Sequence, residues 1–165
     1  MLLRHAKSSW SDPSLADVDR PLAPRGEHAS TCIARYIRRK KLRPGLVLCS
    51  PSRRTRQTLE AIEPALGRRY AVELVPQLYA ASELELLELL QALPDSVASV
   101  MIVGHNPGLQ DLALALAAQG ADLPQLEAKF PTGALATLVA QSDSWSALRP
   151  GVAELVDYVV PRELG

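Results

Sequence analysis

The chain has 165 residues, 47% of them hydrophobic, and carries 18 basic and 18 acidic side chains. That length fits one domain over residues 1–165 with a core of its own. A formal charge of zero gives no global pull toward nucleic acid or an anionic membrane, and no apolar run is long enough to cross a bilayer.

The chain opens on Met1-Leu2-Leu3, an apolar strand that runs straight into Arg4-His5. No signal peptide precedes it, which points to a cytoplasmic location. Three apolar residues are few against the usual five or six or so, so either the start lies late within the strand or the strand is brief. Pro24 to Lys41 reads as a helix, because Ala29, Cys32, Ile33, Tyr36 and Ile37 share one face. Arg38, Arg39, Lys40 and Lys41 suit the negative end of its dipole. Leu46–Cys49 is a short buried strand. Ser50 reads as an N-cap with Pro51 at the first helical position, so Ser52–Leu66 forms the second helix, stopped at Gly67. Ala71–Val75 is a third strand. Ser82 and Glu85 make a capping box for a Leu-rich helix that ends before Pro94. Ser99–Val103 is a fourth strand, and Asn106-Pro107 repeats the cap-plus-proline pattern ahead of a helix over Gly108–Gln119. After a loop, Ala134–Ala140 and Val152–Val160 read as antiparallel strands at one edge, joined by Gln141–Gly151. Cys32 and Cys49 sit inside apolar segments, as small core residues of a reducing compartment.

Strands that alternate with helices imply an α/β fold: a three-layer sandwich whose mixed, mostly parallel central sheet carries helices on both faces. Ligands of such sheets bind beyond the carboxyl ends of the strands. Arg4-His5, the turn Ser50–Arg54 and Gly104-His105-Asn106 all fall at that edge. An imidazole there is a nucleophile near neutral pH that can carry a phosphoryl group. Arg4 offers a planar, permanently charged fork to phosphate oxygens. Arg54 lies in a first helical turn, where the dipole and free N–H groups already favour an anion. His105 precedes a further helix start, so the N–H of Asn106 faces the same place.

Plainer explanations exist for each group. His28 is a structural or surface histidine, two of Arg53, Arg54 and Arg56 are solvated helix charges, and Lys7 and Arg20 are either rim groups or solvated. Each short motif alone occurs by chance; their coincidence at one edge favours a phosphate site. The three histidines lack metal-ligand spacing and have no acidic cluster, so no metal is expected.

Four motifs in order resemble the histidine phosphatase superfamily, and within it the SixA-type phosphohistidine phosphatases: Leu3-Arg4-His5-Ala6-Lys7-Ser8; Asp19-Arg20-Pro21-Leu22 with Arg25-Gly26; Ser50-Pro51 with Arg54, Gln57 and Thr58; and Gly104-His105-Asn106-Pro107. The resemblance covers residues 1 to about 140. It implies His5 as the phosphate acceptor, a pocket of Arg4, Arg54 and His105, and no metal or organic cofactor. Mutase-like members have glycine after the histidine and asparagine three residues beyond a serine. Here Ala6 and Ser11 stand at those places while Ser8 and Trp10 remain, which weakens the case for a sugar-phosphate mutase. Members also tend to carry an acidic proton donor after the third strand. Glu83 and Glu85 lie in that stretch, although the helix dipole and the capping box explain them structurally.

The expected activity is hydrolysis of phosphohistidine in proteins, because a nitrogen leaving group does without a strong general acid; the resemblance implies a phosphorelay protein as partner. About six residues connect Val75 to Ser82, too few for a lid over the pocket. The alternatives are a phosphatase of small phosphate esters or anhydrides that uses Glu83 or Glu85, and a non-catalytic phosphate-binding module.

Overall fold

The computed structural model, which describes residues 1–165, places the apolar runs in seven strands and five helices. In chain order these are β1 (Leu2–Arg4), α1 (Pro24–Lys40), β2 (Leu46–Cys49), α2 (Arg53–Leu66), β3 (Ala71–Leu74), α3 (Glu83–Gln91), β4 (Val100–Gly104), α4 (Gly108–Leu116), β5 (Ala117–Gln119), α5 (Leu123–Ala128), β6 (Leu135–Ala140) and β7 (Ala153–Val159). No helix is long and apolar enough to cross a membrane.

Apart from Arg4, the central strands β1, β2 and β4 carry no polar side chain, and they send alternate side chains to opposite faces. Leu2, Leu46, Leu48, Val100 and Ile102 join one cluster, with Leu86, Leu90, Leu109 and Leu112 of α3 and α4. Leu3, Val47, Cys49, Met101 and Val103 join the other, with Ile33, Ile37, Leu59 and Ile62 of α1 and α2. Three layers follow, as the strand–helix alternation predicts. Cys32 and Cys49 are both buried and free.

The sheet order is β3-β2-β4-β1-β6-β7-β5. β6 alone runs against the rest: it pairs antiparallel with β1 and with β7, while β1, β2, β3 and β4 are mutually parallel and β5 is parallel to β7. From β1 the chain leaves through α1 toward β2 on one side. From the adjacent β4 it leaves through α4 toward β5 on the other side and the other face. The carboxyl ends of β1 and β4 therefore flank a topological switch point, the place where open α/β sheets form their binding crevice.

Several elements and caps differ from the sequence expectations. The helix expected over Gly108–Gln119 ends at Leu116, once Leu109, Leu112, Ala113 and Leu116 have completed its buried stripe. Ala117–Gln119 extend and pair with β7, so β5 is the sheet's edge and the β6–β7 pair lies one strand inside it. The Leu-Ala alternation there fits either period, and the edge of β7 decides. α5 occupies part of what the sequence leaves as a loop. The N-cap of α2 is Ser52, not Ser50: its Oγ accepts from Thr55 N at 3.4 Å. The N-cap of α4 is Pro107, not Asn106.

The N-terminus of α1 is pressed onto the segment that follows His5. The Ala23 N–H donates to Lys7 O at 2.8 Å. A Cβ on Gly26 would lie 2.1 Å from the same carbonyl oxygen, so only glycine fits. Gly26→Ala is expected to lower stability by about 1–3 kcal/mol, as overpacking does, read as a fall in the urea midpoint.

Candidate active site

His5 and His105 follow β1 and β4 directly. The β1–β4 register pairs Arg4 with Gly104, so the next residue on each strand is a histidine. Their ring centroids are 5.2 Å apart, tilted by 55°. The backbone of His5 is held on both sides: its N–H donates to Gly104 O at 3.0 Å and its carbonyl accepts from Gly133 N at 3.0 Å. The ring Nδ1 lies 2.8 Å from Ala6 O. A carbonyl oxygen only accepts, so Nδ1 carries the proton, and in the neutral ring Nε2 keeps its lone pair. The Ala6 N–H is fixed in turn by Thr58 Oγ1 at 3.0 Å.

Both imidazoles are strongly biased to the neutral form. Burial lowers the pKa of His5 to about 3; the hydrogen bond to Ala6 opposes this, and His105, Arg54 and Arg4 add to it. Burial also lowers His105 to about 4, reinforced by Arg54 and Arg4 and opposed by Asp17. His105 Nε2 shares a 2.7 Å hydrogen bond with Ser50 Oγ. This is the work of Ser50 in place of the cap role the sequence suggests.

The arginines come from three segments. Arg4 Nη1 donates to Phe130 O at 2.8 Å, while its Nε is buried without a partner. Arg54, 7% exposed in the first turn of α2, donates from Nη1 to Asp17 O at 2.6 Å and from Nη2 to Asp17 Oδ2 at 3.0 Å. Arg53 and Arg56 are exposed, as expected of solvated helix charges. Arg20 is neither solvated nor a rim group: it is 6% exposed and donates to Ser8 Oγ, Ser9 O and Asp17 Oδ1. Its guanidinium also stacks 3.1 Å from the centroid of Trp10. Lys7 is exposed.

Asp17 is the residue that sequence reasoning missed. Its carboxylate takes Arg20 on one oxygen, and Arg54 and the Tyr79 hydroxyl (2.6 Å) on the other. The Tyr79 hydrogen bond, then Arg54 and Arg20, hold its pKa at about 2 against partial burial. Tyr79 arrives on the β3–α3 connection and sets its ring edge-on to His105, centroids 5.5 Å apart. Ala80, immediately after it, sits at φ 59, a left-handed conformation costly for a residue with a Cβ. The only sequence signal for Asp17 is its place three residues before Arg20.

Asn106 donates both side-chain N–H groups within the protein, to Gln110 Oε1 and Phe130 O at 3.1 Å each, and its Oδ1 is buried unpartnered. It thus clips the β4–α4 turn to the segment before β6. Glu85 is engaged in the capping box, accepting from Ser82 N and Ser82 Oγ, and Glu83 stands in the first turn of α3. The β3–α3 connection brings a tyrosine to the site instead of a carboxylic acid. No three His, Cys, Asp or Glu side chains are grouped to hold a metal ion.

Comparison with known proteins agrees with this arrangement. A family model for the histidine phosphatase superfamily, branch 1, matches residues 1–81. A Mycobacterium tuberculosis protein without an assigned activity is 37% identical over 164 residues, which span 97% of this chain and 100% of that one. The crystal structure of a SixA-type protein from Agrobacterium tumefaciens gives a TM-score of 0.82 at 33% identity, over 97% of this chain and 96% of that one. The protein histidine phosphatase SixA in complex with tungstate gives 0.80 at 25% identity, over 99% and 97%. With a mixed sheet of this order and two histidines at its switch point, the chain belongs to the histidine phosphatase superfamily, and is a phosphatase. Within that superfamily it is of the SixA type.

Two outcomes are expected. The histidines are depressed below their unfolded value of 6.5, so the unfolded chain binds more protons once the pH falls below it. Stability is therefore full above pH 6.5 and declines as the pH falls toward the folded values of about 3 and about 4. Imidazole ¹⁵N spectra at about pH 5 should show both rings neutral, with His5 protonated on Nδ1. Asp17→Ala leaves two buried guanidinium groups without their shared carboxylate. It should lower stability by about 1–3 kcal/mol in urea titrations, with part of the loss recovered in Asp17→Asn.

Proposed function

We propose that the protein hydrolyses phosphohistidine in partner proteins, through a covalent phosphohistidine at His5. One observation carries this: the Nδ1–H of His5 is tied to Ala6 O, which aims an unprotonated Nε2 outward from a neutral ring. A ring held in that tautomer is ready to attack phosphorus without first losing a proton. Arg4 brings a buried Nε–H with no partner, a donor that a phosphate oxygen would satisfy. Arg54 presents its remaining N–H groups beside it, and His105 completes the wall. A related SixA structure holds tungstate, a tetrahedral oxyanion of the same shape as phosphate, which supports an oxyanion pocket here.

The reaction runs in two displacements. Nε2 of His5 forms a bond to phosphorus as the substrate's P–N bond breaks. The electron pair stays on the departing imidazole nitrogen, which takes a proton from solvent. The two arginines hold the equatorial oxygens, where charge is spread in the transition state. Water then adds to phosphorus, the bond to His5 breaks, and inorganic phosphate leaves. Attack on an ester would need a proton for the alkoxide. Asp17 is held ionised by its donors and Glu85 is occupied in capping α3, so neither gives one readily. That favours a nitrogen leaving group. The short β3–α3 connection leaves room for a side chain presented by another protein.

His5→Ala should abolish turnover and the acid-labile phosphoenzyme that is trapped when a phosphohistidine protein is mixed with the wild type. Retained activity in that variant would overturn the mechanism. Arg54→Ala should cost about 3–4 kcal/mol in kcat/KM, the scale of losing a preorganised donor. A panel of a phosphohistidine protein, a small phosphoramidate and phosphoesters decides the substrate class; turnover of the esters alone would refute the phosphohistidine assignment.

A further inference from the structure

A second concavity, of about 740 Å³, is lined by Lys7, two residues after His5, and by Pro131 and Thr132. Topology puts it at the same edge of the sheet. β7 runs parallel to β1, so Tyr158 and Val160 reach the carboxyl edge, as do the first turn of α1 and the segment that leads into β6. The chain ties it to the site. Pro131 and Thr132, which line it, lie between Phe130, whose carbonyl anchors Arg4 and Asn106, and Gly133, whose N–H holds His5. Gly133 in turn abuts Pro161, whose Cγ lies 2.7 Å from where a Cβ would be.

Charge is segregated around this groove. Lys7, Arg25, Lys129 and Arg162 line it and are all exposed, and Glu163 is the one acidic side chain among its walls. None of the four cations is ion-paired: the ion pairs of the protein are those of Asp17 with Arg20 and Arg54. In a chain of zero formal charge this is a local positive field beside the reacting group. The floor is apolar, from Tyr158, Val160 and Pro161. The buried polar atoms that lack partners belong to Arg4, Asn106 and Thr137, and none of these residues lines the groove. It therefore lacks the convergent buried donors of a small-molecule site. Exposed cations around an apolar floor suit an extended acidic segment, with carboxylates at the rim and side-chain stems below.

We propose that this groove docks an acidic segment flanking the phosphohistidine of the substrate protein. The assignment rests on the phosphohistidine activity proposed above and adds how the partner is chosen. Opposite charges at the rim would speed encounter and hold the partner while the phosphoryl group enters the pocket.

The test uses two synthetic phosphohistidine peptides, one flanked by Asp and Glu and one by neutral residues, with free phosphohistidine as a third substrate. The wild type should favour the acidic peptide by about 10-fold in kcat/KM, and the preference should collapse near ~0.5 M salt, where screening is short. The triple variant Arg25→Glu, Lys129→Glu, Arg162→Glu should lose the preference while its rate on free phosphohistidine stays unchanged. Equal rates on the two peptides in the wild type, or a preference that survives the triple variant, would overturn the docking proposal alone. An equal loss on free phosphohistidine would overturn it in favour of a small-anion site. A wild type that hydrolyses phosphoesters but none of the three substrates would refute the phosphohistidine activity itself, and the docking role with it.

Discussion

Leu3 and Val103 lie side by side at the centre of the sheet with no exposed surface, and the register that pairs them pairs Arg4 with Gly104. One residue further, each strand ends in a histidine. A one-residue slip in that pairing would send every side chain of the strand to the opposite face. A slip that put Arg4 in the place of Leu3 would also bury its charge in an apolar cluster. The meeting of the two imidazoles is thus a product of core packing rather than of contacts between them. The crossovers from these strands depart in opposite directions, which opens a crevice at the point where they end.

Electrostatics at that crevice is organised by desolvation. The buried imidazole of His5 and the half-buried one of His105 stay neutral because water is scarce and cations are near. Arg20 and Arg54 are buried too, but cannot shed their charge and so require a partner. Asp17 is that partner for both, and half-exposure of its side chain leaves it hydrated enough to remain an anion. Its field also offsets part of the effect of Arg54 on His105. A single carboxylate thus joins the loop after β1, the start of α2 and, through Tyr79, the loop after β3.

The groups legible in the sequence were those announced by local pattern. Arg4, His5, Arg54 and His105 follow apolar strands at the ends where ligands bind, and short-range rules place them. The α1 and α2 boundaries came out close for the same reason, since buried stripes and end residues agree. What was hidden depends on distance along the chain. Asp17 meets Arg54 across 37 positions and Tyr79 across 62, and no local pattern marks an isolated aspartate in a polar loop. Ser50 and Ser52 look alike as caps; the nearby His105 claims one and Thr55 the other. The side-chain amide of Asn106 has a structural task that no local pattern announces: Phe130 and Gln110 take its two N–H donors. β5 was unreadable because its pairing partner, β7, decides between two periods that the sequence fits equally.

The reversed direction of β6 has a temporal consequence. To enter the sheet beside β1 it must start at the carboxyl edge, so the chain first passes over the crevice through Phe130–Gly133. Arg4 is fixed by a carbonyl 126 positions later. During synthesis, which runs from the N-terminus, Arg4 and His5 are made well before the segment that completes their surroundings, which follows Arg4 by 126 positions. Closing so long a loop comes late in folding. The dry, cation-rich environment that keeps His5 neutral is accordingly among the last things this protein acquires, and a nascent chain halted before that segment carries an ordinary, hydrated histidine.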